Sequence, residues 1–329
     1  MTFLLPPRLY KEDGEIRHVG FELEFGGVNL EESAQILLEL FGGELTRRSQ
    51  YVYDVQTSLG QFRIEADSNF LKNRRYQKYL DTIGVHSGTE LAQDIEAAVA
   101  TLAGRLVPFE VIMPPLPMNK VEPLEKIRTL LQKHEAKGTK SSFFSAFGMQ
   151  FNPEVPDFSS DTLLSYIRAF FLLYDWLYEE SEIPLARKLA PFIHEFPSDY
   201  VDLVLNPGYN PDLNRLITDY LSHNPTRNRP LDLLPLFAFL DKDKVFSYPV
   251  EAELVKPRPT FHYRLPNSMV DDPNWTMSSE WNRWVEVEKL AAEPKRIQEI
   301  SQDYMQLHEQ RRLFSRSKWA ERTREWLHA

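Results

Sequence analysis

Two glutamates set two residues apart, Glu22 and Glu24, alternate with Phe21, Leu23 and Phe25 in the segment Val19-Gly20-Phe21-Glu22-Leu23-Glu24-Phe25-Gly26-Gly27. At period two the apolar residues share one face of a strand and the carboxylates share the other. A strand rises about 3.3 Å per residue, so the two carboxylates would stand roughly 7 Å apart. Oxygen donors at that spacing suit hard divalent cations. Unpaired in a closed interior, each charge would be costly, so this strand needs a cation, a basic partner or water. The plainer account is an edge strand that leaves both glutamates in solvent.

The same texture returns further along. Arg63, Glu65 and Asp67 alternate within Gln61–Asp67, and Glu110 lies in the apolar run Phe109–Met113. Gln150 and Asn152 are two apart, as are His262 and Arg264, with Arg258 a few residues ahead of the latter pair. Side by side in one sheet, the acids would take cations and the arginines would take anionic phosphates through paired hydrogen bonds. A face carrying both signs of charge together with hard-metal ligands suits Mg²⁺-nucleotide chemistry. Each group also has an ordinary explanation. Glu65 and Asp67 can end a strand in solvent, Glu110 can sit on an edge, and Gln150 and Asn152 can satisfy buried backbone groups. His262 can be a core histidine, and Arg258 and Arg264 can join weak surface ion pairs. Recurrence on several strands, rather than any one residue, points to a site. Walker-type and Gly-x-Gly-x-x-Gly loops, the Gly-x-Ser-x-Gly elbow and His-Glu-x-x-His are all missing.

The elements that would carry these residues follow from pattern and punctuation. A strand over 18–25 leads into a helix over 30–41, with Asn29 as N-cap, Glu32 three residues on, and Gly42-Gly43 as its stop. Tyr51–Val55 and Gln61–Asp67 read as strands joined through Thr57-Ser58-Leu59-Gly60. Helices are expected near 89–103 and 120–136, flanking a short strand that Pro114-Pro115 ends. A strand from Phe143 to Asn152 precedes Pro153. The stretch 159–245 reads as mostly helical, with Pro-rich loops and a buried aromatic helix over 163–178. A late strand, Thr260–Leu265, is followed by charged helical sequence over 278–326. The expectation is one domain spanning 1–329, with 159–245 as a helical elaboration inside it and 278–326 as a C-terminal helical region.

Composition narrows the class. In 329 residues, 42% hydrophobic and 12% aromatic content supports a large core, and the absence of cysteine excludes disulfides and thiolate chemistry. A formal charge of −10 argues against nucleic-acid binding and against a polybasic membrane surface. The N-terminal residues lack a signal-peptide pattern, so a cytoplasmic protein is expected.

The order of these motifs resembles the amidoligase family, a divergent branch of the carboxylate–amine ligases that includes glutamine synthetase and glutamate–cysteine ligase. Its opening Gly-x-Glu-x-Glu strand is matched by Gly20-Phe21-Glu22-Leu23-Glu24. Its Asp-Gly-Ser-like element is similar to Asp67-Ser68-Asn69, and its Glu-Leu-Val-Ser-Pro-like strand end resembles Glu110-Val111-Ile112-Met113-Pro114-Pro115. A Gly-x-His-x-(His or Asn) strand is approximated by Gly148-Met149-Gln150-Phe151-Asn152, and a Glu-Phe-Arg-like strand by His262-Tyr263-Arg264. The resemblance implies an α+β fold, in which a curved, mainly antiparallel sheet forms a funnel with helices behind it. It implies ATP and Mg²⁺ or Mn²⁺ as cofactors, and amide formation between a carboxylate and an amine, of small molecules or peptides, through an acyl phosphate. Carried over, Glu22, Glu24, Glu110 and His262 would be metal ligands. Arg258, Arg264, Asn152 and Gln150 would contact the nucleotide, Arg264 would act on the transferred phosphoryl group, and Asp67 or Glu65 would be the base. Gln150 stands where the family has a histidine, and His262 where it has a glutamate. The second reading is therefore a catalytically impaired member of the same fold that still binds nucleotide or peptide.

Overall fold

The computed structural model describes residues 2–66, 109–139, 147–183, 193–309 and 315–328. Asp67 and the helix expected near 89–103 lie outside the described residues.

Strand β1 (His18–Phe25) alternates as its sequence requires. Val19, Phe21, Leu23 and Phe25 are fully buried, while Glu22 and Glu24 on the other face keep partial exposure. Helix α1 (Leu30–Phe41) has the expected capping box: the Asn29 side chain accepts from the Glu32 backbone N–H, and Glu32 reaches back to the Asn29 N–H. Strand β2 (Glu44–Arg47), which no pattern marked, follows directly. Gly43 makes that entry possible. It sits at φ +111°, and a Cβ there would lie 1.9 Å from the Gln56 carbonyl oxygen. Strands β3 (Val52–Thr57) and β4 (Gly60–Ala66) form the expected hairpin, closed at Thr57↔Gly60.

Strand β5 (Phe109–Ile112) stops before the two prolines, and the short β6 (Leu116–Pro117) then pairs with β1. The helix expected over 120–136 is shortened to α2 (Glu125–Lys133), because Pro123 turns its approach into 3₁₀ conformation. Strand β7 (Met149–Pro153) precedes the aromatic helix α3 (Ser160–Glu180), capped by Ser159. The middle stretch holds α4 (Ser198–Leu205), α5 (Leu213–His223), α6 (Leu234–Leu240) and α7 (Lys242–Phe246). It also holds a strand, β8 (Leu231–Asp232), which the helical reading of this region missed. The late strand is reduced to β9 (His262–Tyr263), with Thr260 adding an isolated bridge to Glu154. The closing sequence folds as α8 (Met277–Ala291), α9 (Pro294–Glu309) and α10 (Arg316–His328).

The result is an α+β architecture with ten α-helices among the described residues and one nine-stranded antiparallel sheet. Its order is β2-β3-β4-β5-β1-β7-β9-β8, with β6 paired to β1 off that path, and the sheet is not closed. Helices cover its apolar face. Trp281 of α8 lies 6.1 Å from Phe21 and 5.7 Å from Phe151, and Trp284 lies 5.1 Å from Tyr263, all between ring centroids. Phe41 of α1 stacks on Phe62 of β4 at 5.5 Å. Arg17, just before β1, is completely buried and makes two 2.9 Å hydrogen bonds to Glu288 of α8. The Tyr166 hydroxyl and the Trp284 indole N–H also donate to Glu288. No described helix is long and apolar enough to cross a membrane.

Candidate active site on the polar face of the sheet

Strand register brings the polar residues of distant segments into rows. Glu65 of β4 stands opposite Glu110 of β5, which stands opposite Glu24 of β1. One row on, Arg63 faces Ile112, Ile112 faces Glu22, and Glu22 faces Gln150 of β7. Asn152 faces Gly20 across the β1–β7 pair. The Phe151↔Tyr263 pair continues the sheet to β9, and His262 faces Asp232 of β8. The face opposite the helices therefore collects Glu22, Glu24, Glu65, Glu110, Gln150, Asn152, His262 and Asp232.

One end of this face is acidic. Burial pushes the Glu110 carboxyl well above the ordinary range, and the charges of Glu22, Glu24 and Glu65 push it further. The amides of β7 act on the two β1 glutamates. Asn152 Nδ2 donates to Glu22 Oε1 at 2.8 Å, and Gln150 Nε2 donates to Glu24 Oε1 at 3.2 Å. The Gly148 backbone N–H donates to the other Glu24 oxygen at 2.7 Å. Among the described residues, no three Asp, Glu or His side chains already stand in a geometry that would hold a metal ion. The donor chemistry nonetheless fits a hard divalent cation: the acidic end presents carboxylate oxygens from three strands, crowded enough that burial and then the neighbouring charges raise the Glu110 carboxyl.

The other end is basic. Arg258 donates to Asn152 Oδ1 at 2.7 Å, which links it through one amide to Glu22. Arg264 donates to the Arg227 carbonyl oxygen at 2.5 Å. Burial raises the Asp232 carboxyl to about 6, against the opposing pull of Arg264, Arg227 and Arg258. The His262 ring is held well below its usual pKa, first by burial and then by the charges of Arg258, Arg264 and Arg227. Its Nε2 is 2.7 Å from Gln150 Oε1 and its Nδ1 is 3.4 Å from Asp232 Oδ2. The buried Nε atoms of Arg227 and Arg258 have no hydrogen-bond partner among the described residues. Guanidinium donors left open in this way favour an anion.

Register and hydrogen bonds thus bring together Glu22, Glu24, Glu65, Glu110, Gln150, Asn152, Arg258 and His262, with Arg264 held at Arg227. Arg63 is engaged elsewhere, donating to Asp54 at 2.9 Å. Asp232 and Arg227 escaped the sequence reading. Both lie in Arg227-Asn228-Arg229-Pro230-Leu231-Asp232, where the strand has two residues and no period to detect. The available signal was two arginines and a proline interrupting a helical stretch.

A family model described as "Putative amidoligase enzyme" matches residues 15–286, a span that runs from the approach to β1 into α8 and contains every residue of this face. No curated protein and no solved structure matched the chain.

Proposed function

The chain belongs to the amidoligase family, and from that membership we propose that it joins a carboxylate to an amine in a reaction driven by ATP. The observation that carries the reading is the division of one sheet face into a crowded acidic end and an open-handed arginine end, bridged by Asn152. A triphosphate with its counter-cation has the matching distribution of charge.

In this reading Glu22, Glu24 and Glu110 would hold Mg²⁺ or Mn²⁺, with Glu65 beside them. The bound cation would neutralise charge on the phosphoryl oxygens. Arg258 and Arg264, joined by Arg227, would take the phosphates, and Gln150 and Asn152 would line the nucleotide's side of the face. A substrate carboxylate oxygen would attack the γ-phosphorus, ADP would leave, and an acyl phosphate would form. The amine nitrogen would then attack the acyl carbon and expel phosphate, its proton passing to Glu65 or Asp67. The arginines act by being fixed and charged before the phosphoryl group moves, so no reorganisation is needed during transfer. His262 has both ring nitrogens directed at Gln150 and Asp232. It enters the proposal as a support rather than as a ligand.

The test is coupled release of ADP and phosphate that requires both a carboxylate and an amine. Glu22→Gln and Glu24→Gln should each lower that rate by about 100-fold or more, the usual scale for losing one fixed electrostatic partner. Unchanged rates in both variants would refute the proposal. The second reading, nucleotide binding without turnover, is favoured by the mutual hydrogen bond of Gln150 and His262 at positions where the family has a histidine and a glutamate. ATP binding with no phosphate release under any substrate pair would select it.

A further inference from the structure

We propose that His262 is a positioning residue that holds the Gln150 amide, and through it the Glu24 carboxylate, in a single orientation. The chain of contacts fixes the donors and acceptors from the Gly148 N–H to His262 Nε2. Both Glu24 oxygens accept, one from the Gly148 N–H and one from Gln150, so Gln150 must turn its NH₂ toward Glu24. Its carbonyl oxygen then faces His262 Nε2 at 2.7 Å, and that nitrogen must carry a hydrogen. The ring is buried, with 2% exposure, and Nε2 makes its one hydrogen bond, since Nδ1 has no hydrogen-bond partner among the described residues. Nδ1 lies 3.4 Å from Oδ2 of the fully buried Asp232, and that oxygen likewise has no hydrogen-bond partner among the described residues.

This order explains why a histidine at position 262 accompanies a glutamine at position 150. An ionised glutamate at 262 could only accept. It would draw the Gln150 NH₂ to itself and turn the amide oxygen against Glu24. Histidine donates from Nε2 and leaves the amide pointing the right way. Outer partners of this kind orient the groups that touch an ion and govern their affinity for it.

The inference rests on the proposed cation site only for the second of its two readouts. The first is histidine ¹⁵N NMR on the full chain, with the His262 signal identified by its loss in His262→Gln. A neutral ring with hydrogen on Nε2 is expected, retained in Asp232→Asn because the new amide can donate to Nδ1. The second is Mn²⁺ titration followed by electron paramagnetic resonance, in samples whose circular dichroism matches the wild type. His262→Gln should bind Mn²⁺ much as the wild type does, since its amide still donates to Gln150. His262→Glu should weaken binding by roughly 10-fold or more. A ring with hydrogen on Nδ1, or tighter Mn²⁺ binding in His262→Glu, would overturn the proposal. A wild-type chain that fails to bind Mn²⁺ would refute the cation site, and the NMR result alone would then decide the positioning role.

Discussion

Glu110 concentrates the conflict around which the polar face is arranged. Its carboxyl is raised by burial and by the charges of Glu22, Glu24 and Glu65, so the folded chain holds that proton more tightly than the unfolded chain does. The sign follows. The unfavourable contribution is absent below the ordinary carboxylate range and grows as pH rises through that range toward the folded value. Metal-free Glu110→Gln should therefore be more stable than the wild type at pH 8, by roughly 0.5–2 kcal/mol in urea denaturation, with the gap closing toward pH 4. Equal or lower stability at pH 8 would show that Glu110 is not under strain. At this scale the sequence was informative wherever strands were long enough to show a period. Glu22, Glu24, Glu65, Gln150 and Asn152 announce their face by alternation with buried neighbours, whereas Glu110 shares its face with Ile112 and is placed by strand pairing. Asp232 and Arg227 do not, because two-residue β8 and the loop before it carry no alternation. The partner of His262 was therefore invisible until the chain was folded.

The β3–β4 hairpin presents the opposite electrostatic case. Hydrogen bonds from Arg63, and with them Arg48, hold the buried Asp54 carboxyl down at about 2. A depressed carboxylate contributes stability that is fully present above the unfolded value near 4 and is lost as pH falls from there to about 2. Asp54→Asn should cost about 1–3 kcal/mol at pH 7, the range for hydrogen bonds to charged groups, and nearly nothing at pH 2. A pH-independent difference in urea midpoints would contradict this pairing. The element itself was legible from Thr57–Gly60 and the flanking β-branched and aromatic residues. So was α1, whose capping box is written in Asn29 and Glu32. Strand β2 was not, since Gly42-Gly43 reads as a helix stop and says nothing of the strand beyond it. Nor was the brevity of β9, which makes only one pair with β7 and two with β8.

Across the whole molecule, the Arg17–Glu288 pair ties the start of β1 to α8, and Tyr166 and Trp284 complete the acceptor's hydrogen bonds. Residues 271 positions apart leave no local trace of such a contact, and nothing in the pattern around Arg17 pointed to it. Glu288→Ala should destabilise the chain by about 3–5 kcal/mol, because a guanidinium with no exposure would lose its counter-charge. Arg17→Met combined with Glu288→Leu should recover most of that loss in the same denaturation assay, whereas additive losses would mean that packing rather than charge is at stake. This buried tie anchors β1, and β1 carries the two glutamates on which the proposed chemistry rests. The most direct measurement is therefore calorimetric titration of ATP into the wild-type chain and into the Glu22→Gln/Glu24→Gln double variant, each with Mg²⁺ and with a chelator. Expected is binding by the wild type that requires Mg²⁺ and is lost in the variant. ATP affinity that is indifferent to both Mg²⁺ and the two substitutions would contradict the assignment of this face to a cation and a triphosphate.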